Sequence, residues 1–167
     1  MLAGLLAGCA APAVRLAPDG PWDPANPFEK IQRGELPAAI VYQDSRILVI
    51  MDHAPLAPGH ALVLSKTARA RDLVDVSAAD LAPMMAMAGR LVAAQRDGLG
   101  ATGSTVVIDN GSMQSVHSLH VHVIPSYSAE PVNWSVKPPI QPVPSLEPVA
   151  AKLAAALAAQ TVANASQ

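Results

Sequence analysis

The sequence predicts one α+β domain built on a mostly antiparallel sheet. Short apolar segments with strand character outnumber the helical segments, and two of them are separated only by the turn at residues 44–46, as in a hairpin. The chain has 167 residues, of which 51% are hydrophobic. That is enough for one core and too little for two comfortable domains.

The first half of the chain predicts one helix and three strands. Residues 1–26 are rich in Ala, Pro and Gly without periodicity, which predicts a signal-like leader followed by a flexible tether. Residues 27–33 predict a short helix, because a proline suits its first position and a glycine follows it. Strands at residues 40–43 and 47–51 form the hairpin, and a third strand at residues 61–65 follows a loop rich in Pro and Gly.

The longest predicted helix starts after Ser77, a good N-cap residue, and ends at Gly98 or Gly100. Apolar residues recur along it at helical spacing. Strands at residues 105–109 and 119–124 complete the sheet, and the proline after the second one is expected to stop it.

The last part of the chain has a different composition. Six prolines between residues 131 and 148 predict an extended arm, and Ser145 is predicted to cap a final helix. The chain is therefore divided into the leader and tether, a domain at residues 27–126, and an arm with a C-terminal helix at residues 127–167.

Charge and cysteine content limit the partners. The formal net charge is −2 and there is no basic run, which argues against a nucleic acid polymer but leaves room for one small phosphorylated ligand. Cys9 is the only cysteine, so neither an intrachain disulfide nor a Cys-based zinc site is possible. The preceding Leu-Ala-Gly resembles a lipoprotein cleavage box, although a positive n-region is missing. A cell-envelope lipoprotein anchored at Cys9 and a cytoplasmic protein both remain open.

Three of the five histidines lie within six residues, His117, His120 and His122. Side chains alternate between the two faces of a strand, so His120 and His122 share one face with Ser118. The opposite face carries Leu119, Val121 and Val123. A strand that buries three aliphatic residues and presents Ser-His-His on its other side is poorly explained by packing alone.

The pattern by itself leaves alternatives. The two histidines are either plain surface residues of a sheet or part of a metal site. A His-x-His pair on a strand can chelate zinc with a third ligand, and His60, Asp52 or Asp109 could supply it.

The flanking residues favour a third interpretation. Gln114-Ser115-Val116 followed by His-Val-His-Val-Ile-Pro at residues 120–125 resembles the signature of the histidine-triad (HIT) family. Upstream segments at residues 28–31, 34–38, 50–52 and 55–60 resemble the opening helix, first hairpin and following loop of that family. The resemblance covers residues from about 27 to 126.

The resemblance implies a sheet of about five antiparallel strands with two main helices, to which the C-terminal helix is added here. It also implies a purine nucleotide lying across the sheet and a nucleotide phosphate hydrolase or nucleotidyl transferase. His120 aligns with the nucleophile that forms a covalent nucleotidyl-histidine, a task suited to a neutral imidazole. His122 aligns with the histidine that donates to the phosphate oxygens or helps the leaving group depart. Neither a cofactor nor a metal is required.

Further site residues follow from the same resemblance. Gln114 and Ser115 match positions that hydrogen-bond the phosphate or the leaving group. Asp52 matches the acid that holds the ribose hydroxyls, and His60 matches a supporting histidine behind the triad. Homodimers are common in the family, with residues 98–108 and the arm around Trp134 as the expected contacts.

The chain departs from the family pattern at four positions. Ser118 replaces the first triad histidine, and its hydroxyl can still donate one hydrogen bond in that place. In the same register His117, one residue earlier, is expected to face away from the site. Asp109 replaces a polar amide and brings a negative charge near the expected phosphate. Asn26 and Glu29 stand where many members have a zinc-binding Cys pair.

These departures predict slower chemistry or a different substrate. Two further hypotheses therefore stay open. One is a nucleotide-binding protein with weak or no turnover, and the other is a metal-dependent enzyme that uses the His-x-His pair.

Overall fold

Five strands form one sheet in the computed structural model, which describes residues 21–130, 132, 133 and 135–165. The strand order is β1-β2-β3-β5-β4, and all four pairings are antiparallel. The predicted α+β class with a five-stranded antiparallel sheet is confirmed. The strands are β1 (Ile40–Gln43), β2 (Ile47–Met51), β3 (Ala61–Ser65), β4 (Gly103–Val107) and β5 (His120–Ser126).

Three α-helices accompany the sheet in the part of the chain that the structure describes, and local capping explains where the first two begin and where the second ends. They are α1 (Pro27–Gln32), α2 (Ala78–Leu99) and α3 (Val143–Ala165). The Asn26 side chain accepts a hydrogen bond from the Glu29 amide at the start of α1, and Ser77 accepts one from the Asp80 amide at the start of α2. Gly100 ends α2 in a left-handed conformation with φ of 71°.

The main hydrophobic core lies between the sheet and helices α2 and α3. As the two-residue period of β5 predicted, Leu119, Val121 and Val123 are buried in this core. Helix α2 contributes Met84 and Leu91 among others. The apolar side of β5 is thereby anchored, so its other side must face the opposite surface of the sheet.

A smaller apolar cluster covers that opposite face. Phe28 of α1 lies there in one cluster with four aliphatic residues of the sheet, Leu48, Ile50, Leu62 and Leu64. The pocket described below lies against this cluster, because Phe28, Ile50 and Leu62 are among the residues that line it.

Three predicted elements have other bounds in the structure. Strand β4 lies two residues earlier than expected, so Asp109 is outside it. Strand β5 begins at His120 and continues through Pro125. Pro125 lies beyond the part of β5 that pairs with β3, so its missing amide hydrogen breaks no bond on that side. Helix α3 begins two residues before Ser145, whose hydroxyl donates to the Pro142 carbonyl.

The end of the predicted tether is packed on the domain. The Arg69 guanidinium lies 5.0 Å from the centre of the Trp22 ring, and the Asp23 amide donates to the His117 carbonyl. The predicted leader with Cys9, and Trp134 of the predicted dimer contact, lie outside the described residues. Within residues 21–165 as described, no helix has the length and hydropathy that a membrane span needs.

Gln95 of α2 connects the core to the loop that precedes β3. Its side chain is fully buried and donates to the carbonyls of Gly59, at 3.1 Å, and Val123, at 2.9 Å. It also accepts from the Ser104 hydroxyl at 2.6 Å. One side chain therefore fixes β4, β5 and the loop before His60 relative to α2.

We predict that Gln95→Leu lowers the free energy of unfolding by about 2–4 kcal/mol, because two buried carbonyls lose their donors. Urea denaturation followed by circular dichroism measures this change. The matched control is Gln43→Leu, which replaces an exposed side chain of β1. It should change the free energy of unfolding by no more than about 0.5 kcal/mol. Equal effects of the two substitutions would contradict the connecting role of Gln95.

Candidate active site

A pocket of about 350 Å³ opens on the α1 side of the sheet. Most of its lining residues are apolar, among them Phe28, Ile31 and Leu36. Its polar lining residues are Asp52, His53, Ser115, His120 and His122. A largely apolar cavity with a few polar groups is typical of a small-molecule site.

His120 and His122 project from β5 into the same pocket. Their ring centroids are 4.7 Å apart, and they pair across the ladder with Leu64 and Leu62 of β3. The strand alternation predicted from the sequence is thus what the structure has. His120 is only 3% exposed, because the edge of the Phe28 ring packs on it with centroids 4.9 Å apart.

A backbone carbonyl fixes the tautomer of His120. Its Nδ1 lies 2.8 Å from the carbonyl oxygen of Ser118, which can only accept a hydrogen bond. The proton of neutral His120 therefore resides on Nδ1, and Nε2 carries a free lone pair.

His122 is held in the opposite tautomer by two consecutive hydrogen bonds through His60, which form a relay. The Leu56 amide donates to Nδ1 of His60 at 3.2 Å, so the proton of neutral His60 resides on Nε2. That nitrogen lies 2.9 Å from Nδ1 of His122 and donates to it. The remaining proton of His122 must then be on Nε2. Of the two neighbouring imidazoles, His120 thus has an unused lone pair on Nε2, and His122 has an unused N–H donor on Nε2.

Gly59 makes the relay possible. Its φ is +99°, and a Cβ at this position would lie 2.5 Å from the Leu99 side chain. The loop therefore approaches α2 closely, and His60, which is 2% exposed, is placed directly behind His122.

Burial keeps all three histidines neutral near pH 7. Burial lowers the pKa of His120 to about 4, and repulsion from a protonated His122 adds to the shift. Burial also lowers the pKa of His122 to about 4, and repulsion from a protonated His60 adds to that shift. Burial also lowers the pKa of His60, against the attraction of Asp52. Because these folded-state values lie below the unfolded value of 6.5, the site loses stability as pH falls from 6.5 towards 4.

Asp52 lies beside the two linked histidines. Its Oδ2 is 3.4 Å from Nε2 of His60 and 3.8 Å from Nδ1 of His122, while its Oδ1 accepts from the Ala54 amide at 2.8 Å. The carboxylate also lines the pocket. It is therefore placed both to accept from a ligand and to act as a counter-charge to the histidines.

The two residues predicted to contact the phosphate are in different environments. Ser115 lines the pocket. Gln114 is 2% exposed and turned to Arg71, donating to its carbonyl at 2.6 Å and accepting from its Nε at 3.3 Å. Gln114 thus anchors the loop that carries Ser115. Nothing in the sequence around Arg71 indicated this partner.

Ser118 and Asp109 are near the site but do not line the pocket. Ser118 lies outside β5, with its amide bonded to the Val116 carbonyl, and the contact it gives His120 comes from its backbone. Asp109 is half-buried, and its charge favours the protonated form of His120. His117 precedes this segment and is also absent from the pocket lining.

One cluster within the described part of the chain has the composition of a metal site. It consists of Asp52, His60 and His122, whose ligand atoms all lie within 4.8 Å of one another. The metal alternative predicted from the sequence used His120 with His122, and the structure groups His60 and Asp52 with His122 instead. At the positions matched to the family's Cys pair, Asn26 caps α1 and buried Glu29 pairs with Arg69.

We predict that His120 and His122 hold opposite tautomers at pH 7, His120 protonated on Nδ1 and His122 on Nε2. Long-range ¹H–¹⁵N spectra of labelled protein distinguish the two nitrogens of each ring. Exposed His53 serves as the internal control and should average between tautomers. Both rings should stay neutral until the pH falls towards 4. The same tautomer at both positions, or protonation near pH 6.5, would contradict the hydrogen-bond assignment.

The family model and a curated relative identify the same family. The HIT domain family model matches residues 33–129, which is more than half of the chain. Adenylylsulfatase HINT1 of Arabidopsis thaliana is 34% identical over 122 residues, or 68% of this chain and 78% of that protein.

Solved structures are also similar. A HIT-like protein of Bartonella henselae, described as involved in cell-cycle regulation and crystallised with an unknown ligand, has a TM-score of 0.75 and 34% identity over 82% of this chain and 99% of that one. A zinc-bound histidine triad family protein of Mycobacterium smegmatis has a TM-score of 0.72 and 33% identity over 81% of this chain and 95% of that one. The family model, the relatives and the sheet agree, and the chain belongs to the HIT domain family of nucleotide hydrolases and transferases.

Proposed function

We propose that this protein cleaves a nucleoside 5'-phosphate derivative through a covalent nucleotidyl-histidine formed at His120. The observation that carries the proposal is the set of hydrogen bonds that assigns opposite tautomers to His120 and His122 in the pocket lining. A lone pair on Nε2 of His120 is a nucleophile, and an N–H on Nε2 of His122 is a donor for a phosphate oxygen. The buried rings supply both without a metal or cofactor.

The pocket lining has groups suited to each part of a nucleotide. The apolar lining, which includes Phe28 and Ile31, can hold a planar purine base, and the carboxylate of Asp52 can accept from the ribose hydroxyls. The α-phosphate would then reach the histidines and the hydroxyl of Ser115. None of the residues that line this pocket is Lys or Arg. Binding of the phosphate therefore depends on neutral donors.

The reaction has two balanced steps. First, Nε2 of His120 forms a bond to the α-phosphorus while the bond to the leaving group breaks. Water then attacks the phosphorus, the N–P bond breaks, its electron pair returns to Nε2, and the water's proton passes to solvent. In between, His120 carries a positive charge, which Asp109 and Asp52 stabilise because both charges favour the protonated ring.

The leaving group receives no proton from the site. His122 is neutral and would become an imidazolate anion if it gave up its Nε2 proton, so it donates a hydrogen bond without transferring that proton. Ser118, in place of the first triad histidine, cannot carry a proton for transfer at neutral pH either. We therefore propose that the preferred substrates are mixed anhydrides whose leaving group departs as a stable anion. The name of the similar adenylylsulfatase, whose leaving group is sulfate, fits this class.

A second candidate function is nucleotide binding with little turnover. It is favoured by the lack of a cation in the pocket lining and by the serine at position 118. In that case the protein binds AMP but releases none from any of the derivatives named below.

We predict that His120→Ala lowers AMP release by roughly 1,000-fold or more, because the nucleophile is lost. The substrates are adenylyl sulfate, adenosine 5'-phosphoramidate and diadenosine polyphosphates, with AMP measured by chromatography. His117→Ala is the matched control, since it removes a nearby histidine that does not line the pocket. Circular dichroism verifies that both variants fold. Equal AMP release by wild type and His120→Ala would exclude His120 as the nucleophile.

We predict different pH profiles for two leaving groups. With adenylyl sulfate, kcat/KM should be flat from pH 8 to 5 and fall only as His120 is protonated near pH 4. With adenosine 5'-phosphoramidate, kcat/KM should rise by up to tenfold for each pH unit lowered over the same range, because solvent must protonate the departing amine. Rates for His120→Ala give the uncatalysed background. Identical profiles would show that the site itself protonates the leaving group.

A further inference from the structure

Three potential metal ligands converge in the wall of the pocket. The Nε2 atom of His60 and Nδ1 of His122 are 2.9 Å apart, and Oδ2 of Asp52 lies 3.4 and 3.8 Å from them. Asp52 directly follows β2, His60 directly precedes β3, and His122 lies within β5. Their arrangement is therefore set by the sheet and not by mobile surface side chains.

These separations match the needs of a tetrahedral ion. Zinc binds imidazole nitrogen and carboxylate oxygen at about 2.0–2.2 Å, so two ligand atoms of one tetrahedron lie about 3.3–3.5 Å apart. The three observed distances lie on both sides of that value, and small shifts of the rings would equalise them. Two imidazoles and one carboxylate, with water as the fourth ligand, also form a common donor set for zinc.

The fourth position faces the pocket. Asp52 and His122 line the pocket, whereas His60 is 2% exposed and lies behind them. An ion among the three donors would therefore be closed off on the His60 side and open to a water molecule on the pocket side. His120 takes no part, since its Nδ1 is bound to the Ser118 carbonyl.

We propose that Asp52, His60 and His122 bind one divalent transition-metal ion of the zinc type. This inference goes beyond the proposed reaction, which uses no metal. The ion takes the place of the hydrogen bond between His60 and His122 and occupies Oδ2 of Asp52. Because the ion coordinates Nδ1 of His122, the proton of that neutral ring stays on Nε2. The metal-bound form therefore differs from the metal-free form at His60 and Asp52 and keeps the N–H donor of His122.

The Leu56 amide gives this exchange a specific signature. Coordination through Nε2 leaves the proton of neutral His60 on Nδ1. In the metal-free structure the Leu56 N–H donates to this same nitrogen at 3.2 Å. Two donors cannot face each other, so the Leu56 peptide must turn or withdraw. Metal binding should thus move the backbone at Leu56, within the loop between β2 and β3.

We predict that the metal-stripped full chain binds one Zn²⁺ per molecule, measured by competition with a zinc-sensitive dye in the absence of nucleotide. Asp52→Asn, His60→Gln and His122→Gln should each weaken Zn²⁺ affinity by tenfold or more, because each removes one of three ligands. His53→Asn is the matched control. It removes an exposed histidine 3.9 Å from Asp52 that lies outside the cluster, and should change affinity by less than threefold.

The ¹H–¹⁵N spectrum gives a second readout. Stoichiometric Zn²⁺ should shift the Leu56 amide in wild type and His53→Asn, and leave it in place in His60→Gln. Absence of binding by wild type, or an equal loss of affinity in His53→Asn, would overturn the proposal. Because no nucleotide is present, this result does not depend on whether His120 is a nucleophile.

Discussion

The hydrogen bond from Nδ1–H of His120 to the carbonyl of Ser118 is the contact on which the candidate site depends. It fixes the ring orientation and leaves the Nε2 lone pair facing the pocket. The aliphatic side of β5 holds the strand against α2 and α3, so the position of the carbonyl relative to the ring is maintained by the core. The relay from the Leu56 amide through His60 gives His122 the opposite tautomer.

Burial is what makes these tautomers persist. Three imidazoles packed together would repel one another if charged, and the surrounding apolar residues disfavour the charged form further. The cost is that the site has no strong acid at neutral pH. At neutral pH the buried rings therefore offer a lone pair and a hydrogen-bond donor, and in the proposed reaction Asp52 and Asp109 are the counter-charges when His120 becomes positive.

Much of this arrangement follows from the sequence, because the two-residue period of a strand is a strong constraint. It placed His120 and His122 on one face and Val121 on the other, as the structure has them. The contact between His60 and His122, 62 residues apart, required the register of β3 on β5, which a single sequence does not provide.

Other features depend on backbone geometry that residue types do not reveal. Ser118 contributes its carbonyl and not the hydroxyl that its residue type suggested, because the chain turns before β5 begins. Gln114 matches a phosphate-binding position of the family, yet its side chain is taken up by buried Arg71. In both cases the residue type alone does not tell which contacts the residue makes, because the three-dimensional path of the loop decides them.

The central claim is that one imidazole nitrogen, Nε2 of His120, attacks the phosphorus. Trapping the intermediate tests it most directly. Wild-type protein mixed with adenylyl sulfate and quenched in alkali, where a phosphorus–nitrogen bond to histidine survives, should carry one adenylyl group. Fragmentation of the peptide that spans β5 should place the group on His120. An adduct on His122, or rapid AMP release with no adduct at any quench time, would contradict the account.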